Sequence, residues 1–117
     1  MEAYKLGPVE SVFADLIWER EPLASGELVA LCQEKLEWKK STTYTVLRKL
    51  CDKGLFQNRA GQVTSLISRA EYQAMQTRQF VEDTFDGSLP AMIAAFTNQR
   101  PLTDQEAEEI RRMIDRR

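Results

Sequence analysis

Apolar positions along the chain change period twice, from helical to alternating and back to helical. From Pro8 to Arg20, the residues Val9, Val12, Phe13, Leu16 and Ile17 follow the i, i+3, i+4, i+7, i+8 spacing of one buried helical stripe. Pro8 suits a first helical turn, where its missing N–H costs nothing. Glu21-Pro22 ends the element, because a residue before proline is pushed out of the helical region. Leu23-Ala24 leaves room only for a short extended link. Ser25 reads as the N-cap of a second helix to about Leu36, with Leu28, Leu31, Cys32 and Leu36 as its apolar face. Glu37-Trp38-Lys39-Lys40 is then a four-residue turn. Ser41 is expected to cap a third helix from Thr42 to about Lys53, with Gly54 at the left-handed position after it. Thr43, Val46, Leu47, Leu50 and Cys51 share one face of this helix. Thr42, Tyr44, Thr45, Arg48 and Lys49 fall on the other.

Leu55–Asn58 and Val63–Ile67 read as two short strands around the hairpin-sized Arg59-Ala60-Gly61-Gln62. Helical spacing then returns with clear caps. Ser68 and Glu71 form a capping box, which opens a helix through Phe85 carrying Tyr72, Met75, Phe80, Val81 and Phe85. Asp86-Gly87 stops it. Ser88 caps a short helix through about Asn98, with Leu89, Met92, Ile93 and Phe96 apolar. Arg100-Pro101 breaks the chain again. Thr103 and Glu106 form a second capping box, opening a last helix with Ala107, Ile110 and Ile114 inward. The predicted class is mostly α with a small β-hairpin wing. By this order of helices and hairpin, residues 1–67 are expected to form a winged helix-turn-helix DNA-binding domain and residues 68–117 a helical dimerisation region, with the boundary in Ser65–Ser68.

Composition narrows the chemistry. The chain has 117 residues, 43% hydrophobic and 29% charged, with no histidine and two cysteines. Imidazole-dependent catalysis is therefore excluded. No glycine-rich phosphate loop or nucleophile motif is present, so no enzyme is expected. Cys32 and Cys51 form no Cys-x-x-Cys pair, and within one chain they cannot supply a four-thiolate zinc site. Neither a metal nor a cofactor is expected. Both cysteines read as buried structural thiols, with a redox sensor or a shared metal site as the alternatives. The longest apolar runs, Leu28–Cys32 and Pro90–Phe96, fall far short of the roughly 18 residues of a membrane span. The N-terminus lacks a basic region ahead of an apolar run, so no secretory signal is read there, and a cytoplasmic protein is the expectation.

Charge is uneven. Residues 1–34 hold two basic and seven acidic side chains, residues 35–60 seven basic and two acidic, and residues 61–117 seven basic and nine acidic. The middle block is thus +5 within a chain of net charge −2. By charge alone this is either a solvated helix face or a stripe that steers toward phosphate. Two helices joined by a short turn and followed by a hairpin outline a winged helix-turn-helix. The second helix of that motif, here about Ser41–Lys53, enters the major groove. Ser41, Thr42 and Thr45 supply hydroxyls, Tyr44 a ring and a hydroxyl, and Arg48 and Lys49 cations for phosphate or guanine edges. Lys39 and Lys40 precede the helix N-terminus, and Arg59 sits at the wing. Ser41 can be a cap alone, and Trp18 and Trp38 read as packing residues. The last three helices are too short to bury their apolar faces by themselves. Tyr72, Phe80, Val81, Phe85, Met92, Ile93, Phe96, Ile110 and Ile114 are therefore candidates for contact with a second copy. A symmetric dimer would set two recognition helices one DNA turn apart, roughly 34–36 Å, or a multiple of it.

A set of ordered segments resembles the penicillinase-repressor family of bacterial transcription factors, the BlaI/MecI/CopY group. They are Glu10 with Ile17-Trp18; Trp38 through Thr45-Val46-Leu47-Arg48-Lys49-Leu50 to Lys53-Gly54-Leu55; and Leu66-Ile67-Ser68 with Glu71-Tyr72. Phe85-Asp86-Gly87-Ser88, Phe96, Leu102-Thr103 and Glu106 complete the set. The resemblance implies a homodimeric repressor acting on double-stranded operators with dyad symmetry. In antibiotic-responsive members of the family, a membrane sensor and protease system leads to cleavage at an Asn-Phe bond. The matching pair here is Ala95-Phe96. Copper-responsive members carry a cysteine-rich tail, and Ile114–Arg117 carries no cysteine. The wing is several residues shorter and less basic than is usual in the family. Together with the acidic balance, that motivates a second reading, a winged-helix protein-interaction module without DNA binding.

Overall fold

The computed structural model describes residues 5–117, and the first four residues of the expected N-terminal domain lie outside them. Two compact units divide between Gln76 and Thr77. The first holds helix α1 (Pro8–Arg20), strand β1 (Leu23–Ala24), helices α2 (Ser25–Leu36) and α3 (Lys40–Asp52), and strands β2 (Phe56–Arg59) and β3 (Gln62–Ser65). It also takes the first turns of α4 (Arg69–Phe85), and the second unit holds the rest of α4 with α5 (Leu89–Gln99) and α6 (Asp104–Asp115). The protein is mostly helical with a small antiparallel sheet, the winged-helix arrangement.

The core of the first unit is built from α1, α2, α3 and the sheet. Phe13, Ile17, Leu28, Leu50, Phe56 and Val63 are among its fully buried side chains. The apolar stripe of α1 is narrower than the spacing predicts. Phe13, Ala14, Leu16 and Ile17 are buried, but Val9 and Val12 are exposed. Leu6, just ahead of the helix, joins the core in their place.

Leu23-Ala24 is more than a link. It pairs antiparallel with β3, Leu23 opposite Val63 and Ala24 opposite Gln62, so the hairpin becomes a three-stranded sheet ordered β1-β3-β2. Two residues give no alternation to read, and this strand exists only because β3 offers it a partner. The pairing also overrides the expected cap. Ala24 is the N-cap of α2 and makes no side-chain cap bond, while Ser25 is already helical and its N–H donates to the Gly61 carbonyl at 2.8 Å. At the far end of β3, both the N–H and the hydroxyl of Ser65 donate to the Glu21 carboxylate at 2.8 Å. The loop expected over Arg59–Gln62 closes in only two residues. Arg59 pairs with Gln62, and Ala60 and Gly61 both take positive φ, +53° and +82°, the two-residue turn that matches strand twist.

The turn between α2 and α3 is also two residues tighter than expected. Glu37 turns left-handed (φ +57°), the Trp38 N–H reaches back to the Cys32 carbonyl at 3.2 Å, and the Trp38 ring packs on Phe13 with centroids 5.6 Å apart. This stops α2 by backbone reversal plus a hydrophobic contact. Helix α3 therefore begins at Lys40, with Lys39 as its N-cap, and Ser41 lies inside the first turn instead of capping it.

Helix α4 opens on the expected box. Glu71 N–H donates to Ser68 Oγ at 3.0 Å, and Ser68 N–H donates to Glu71 Oε1 at 2.9 Å. The compact-unit boundary lies inside α4 because its first turns are tied to α1. Arg69 pairs with Asp15 at 3.0 Å and Glu19 at 3.3 Å. The Tyr72 hydroxyl accepts from the Leu6 N–H at 2.8 Å, and its ring lies 5.7 Å from that of Trp18.

In the second unit, Asp86 (φ +53°) and Gly87 (φ +82°) end α4, and Ser88 caps α5 by accepting the Ala91 N–H at 3.1 Å. Thr103 and Glu106 form the second capping box. Arg100 meets Glu106 through two bonds of 3.0 Å and lies over the Phe96 ring at 4.7 Å. These contacts fix the turn between α5 and α6.

Two outcomes test this description. Ala60→Asn, which tolerates the left-handed position better, should raise stability by roughly 0.5–1 kcal/mol in denaturant unfolding. The Arg100 guanidinium, helped by the Thr103 backbone bond, lowers the Glu106 carboxyl from 4.5 to about 2. A depressed folded-state value stabilises above the unfolded value, and the gain disappears as pH falls from about 4.5 toward 2. Wild type should therefore unfold later than Glu106→Gln at neutral pH, and the gap in melting temperature should close across that acid window.

Candidate nucleic-acid interface

Helix α3 is held by one face and free on the other. Thr43, Leu47 and Leu50 are buried, with Val46 and Cys51 half-buried beside them. Thr43 Oγ1 donates to the Lys39 carbonyl at 3.4 Å, so this one buried hydroxyl is satisfied inside its own helix. Ser41, Thr42, Thr45, Arg48 and Lys49 are exposed on the other face. Lys39 and Lys40 are exposed at the helix start, where no side-chain cap takes the first N–H groups. Helix N-termini of this kind favour anions. Thr45 Oγ1 donates to the Ser41 carbonyl at 2.9 Å, leaving its oxygen lone pairs outward.

Two members of the expected outer face are engaged elsewhere. Tyr44 is half-buried and packs against the core, and its hydroxyl donates to Ser25 Oγ at 3.1 Å. Its ring braces α3 against the start of α2 and is not a free outer-face platform. Lys49 Nζ lies 2.9 Å from Glu10 Oε2 on α1. Nothing local in the sequence announces either contact, because each joins residues more than 15 positions apart. Arg59 is exposed at the last residue of β2, beside the wing turn. A small groove of about 210 Å³ between α3 and β2 is lined by Tyr44, Leu47, Arg48, Cys51 and Asn58. It brings Arg48 and the wing residue Asn58 to one place, and sequence periodicity gave Asn58 no role.

The expected dimerisation residues divide between the two units. Tyr72 lies in the first unit, where its hydroxyl meets the Leu6 N–H and its ring packs on Trp18. In the second unit, Val81 is the one buried apolar side chain among the described residues. Phe80, Phe96 and Ile114 are about half exposed. Phe80, Phe85, Met92, Ile93, Phe96 and Ile110 line an apolar groove of about 450 Å³, with Ala95, Leu102 and Glu106 completing it. Ala95-Phe96 lies within α5, in helical backbone.

Sequence comparison joins these features to known proteins. The penicillinase repressor family model matches residues 6–116. The chain belongs to the penicillinase repressor family. It is 20% identical over 120 residues to the methicillin resistance regulatory protein MecI of Staphylococcus aureus, covering 99% of this chain and 98% of that protein. MecI of Mammaliicoccus sciuri is 19% identical with the same coverage. The penicillinase repressor of Bacillus licheniformis is 23% identical over 104 residues, covering 86% of this chain and 81% of that protein. The family comprises regulators rather than enzymes, and the family together with the names of these relatives makes this chain a transcriptional repressor. No helix among the described residues is long and apolar enough to cross a membrane. No group of three or more His, Cys, Asp or Glu side chains among them is placed to hold a metal.

The thiols of this repressor lack the character of a sensor, which needs an accessible, low-pKa thiolate. Burial pushes the Cys32 thiol up, partly opposed by a hydrogen bond with Thr43. Burial, followed by the neighbouring Asp52 charge, raises Cys51. Alkylation by iodoacetamide at neutral pH should therefore be slow for both in the folded protein. Half-buried Cys51 should react before fully buried Cys32, with both becoming fast in denaturant.

Proposed function

We propose that this repressor is a homodimer that reads a double-stranded operator with dyad symmetry, each copy laying α3 in the major groove. The observation that carries the reading is the division of α3 into a buried face of Thr43, Leu47 and Leu50 and an exposed face of hydroxyls and cations. Lys39, Lys40 and the open first turn meet phosphate. Ser41, Thr42 and Thr45 reach base edges or nearby phosphate. Arg48 takes a phosphate or a guanine edge, and Lys49 a phosphate. Tyr44 acts by holding α3 in place, and Arg59 adds one contact from a short wing.

The homodimer is supported by how little the second unit buries by itself. Phe80, Phe85, Met92, Ile93, Phe96 and Ile110 line an open groove, and Ile114 stands half exposed on α6. A second copy presenting the same faces would cover them, and two-fold symmetry would then match a dyad operator. Residues 1–67 supply the DNA-binding part of this reading. The helical remainder supplies dimerisation, with the first turns of α4 belonging to the winged unit. Release by cleavage at Ala95-Phe96 is not part of the proposal, since asparagine is absent there.

Selection of bound sequences from random duplex DNA at moderate salt tests it. The expected product is an enriched site with two related half-sites, their centres one helical turn or a multiple apart. On that site Arg48→Ala should flatten the slope of log K against log salt by about 0.9 per lost phosphate, without loss of helicity. Absence of enrichment from folded, dimeric protein would overturn the reading in favour of a winged-helix protein-interaction module.

A further inference from the structure

The recognition face carries a carboxylate partner that DNA reading does not need. Glu10 reaches Lys49 with Oε2 at 2.9 Å and, with Oε1, accepts the Gly7 N–H at 3.0 Å at the start of α1. The Glu10 side chain is 19% exposed against 53% for Lys49. The carboxylate is thus the anchored partner, held by the backbone of its own helix and favoured by the N-terminal end of the α1 dipole. The ammonium is the more mobile partner, on a long flexible stem. An exposed ion pair of this sort adds little to stability. Its effect on binding is larger, because any phosphate that takes Lys49 must compete with a fixed anion already in contact.

We propose that Glu10 is a charge guard on Lys49, which withholds one phosphate contact from non-specific DNA and yields it only on the operator. On a duplex of arbitrary sequence, α3 is not seated, and Lys49 stays with Glu10. On the operator, base contacts along α3 fix its depth and register, and a phosphate held close to Nζ outcompetes the carboxylate. Glu10 is in this sense a specificity-determining positioning residue that touches no DNA. The inference rests on the DNA-binding reading above.

Glu10→Gln tests it, since glutamine can keep the Gly7 hydrogen bond while losing the charge. Binding of wild type, Glu10→Gln, Lys49→Gln and the double variant is measured against salt on the selected operator and on a scrambled duplex. The Glu10→Gln protein should bind the scrambled duplex several-fold more tightly, with a slope steeper by about 0.9, one phosphate. Its operator slope should stay at the wild-type value, so the ratio of specific to non-specific affinity falls. The gain on scrambled DNA should disappear in the double variant. Lys49→Gln alone gives a second measurement if Glu10→Gln does not fold. It should flatten the operator slope by about 0.9 and leave the scrambled slope unchanged.

Equal slopes for wild type and Glu10→Gln on scrambled DNA would overturn the guard. A Glu10→Gln gain that survives in the double variant would do so too, by showing only a general loss of negative charge. Equal flattening of both slopes by Lys49→Gln would likewise reject it. If the folded wild type and every variant alike bind neither duplex in a salt-dependent way, the DNA-binding reading itself fails and the guard falls with it.

Discussion

Trp18 is the contact on which the winged unit depends. Its ring meets Phe56 of β2 at 5.3 Å and Tyr72 of α4 at 5.7 Å, and Arg69 lies over it at 5.8 Å. Its indole N–H donates to the Ile67 carbonyl at 3.0 Å, just where the chain leaves the sheet for α4. One side chain on α1 thereby joins the sheet, the connecting segment and the next helix. An indole suits this place because it gives a large apolar body and a single polar edge that must find a partner when covered. The clamp of Asp15 and Glu19 on Arg69 closes the outer side of the same junction.

Around that junction, the unit divides its labour by face. Buried faces of α1, α2 and α3 and the inner residues of the sheet form one core, and the polar contacts that align them lie at its margin. Glu21 fastens β3, Ser25 receives Tyr44, and Lys39 receives Thr43. None of these is a strong interaction by itself, since a net hydrogen bond contributes about 1 kcal/mol. Together they fix the direction in which α3 presents its outer side. No buried side-chain polar atom among the described residues lacks a partner, so this alignment leaves no buried polar group unsatisfied.

The sequence carried the helices well because their signals are local. The bounds of α1, the stop at Gly54, both capping boxes and the break at Arg100-Pro101 all come from residues within four positions of one another. The same holds for the division of α3 into an apolar and a polar face. What stayed illegible depended on distant partners. Strand β1 exists through β3, and pairing with β3 moved the start of α2 away from a Ser25 cap. Packing of Trp38 on Phe13 tightened the turn and moved the start of α3 away from a Ser41 cap. Tyr44 lies on the polar side of α3 by periodicity, yet its ring is drawn to the core by Ser25. Tyr72 falls on an apolar stripe whichever unit takes it, and only Leu6 and Trp18 decide which. Likewise Lys49 falls on the polar face by periodicity, and only the fold brings Glu10 of α1 beside it.

The two-residue wing turn also shapes how such a protein can change over generations. Ala60 and Gly61 lie at the end of a hairpin whose buried residues, Phe56 and Val63, sit further back along the strands. Loop tips with small residues are where chains accept added length most readily. The Gly61 carbonyl also holds the Ser25 N–H at the start of α2, so added length at this tip must keep that bond while Phe56 and Val63 stay in place. The fold thus keeps two exposed surfaces, the outer face of α3 and the hairpin tip, under different packing constraints. The first is tied to the core through Thr43, Leu47 and Leu50, and the second, at its tip, through one backbone bond from Gly61 to the start of α2.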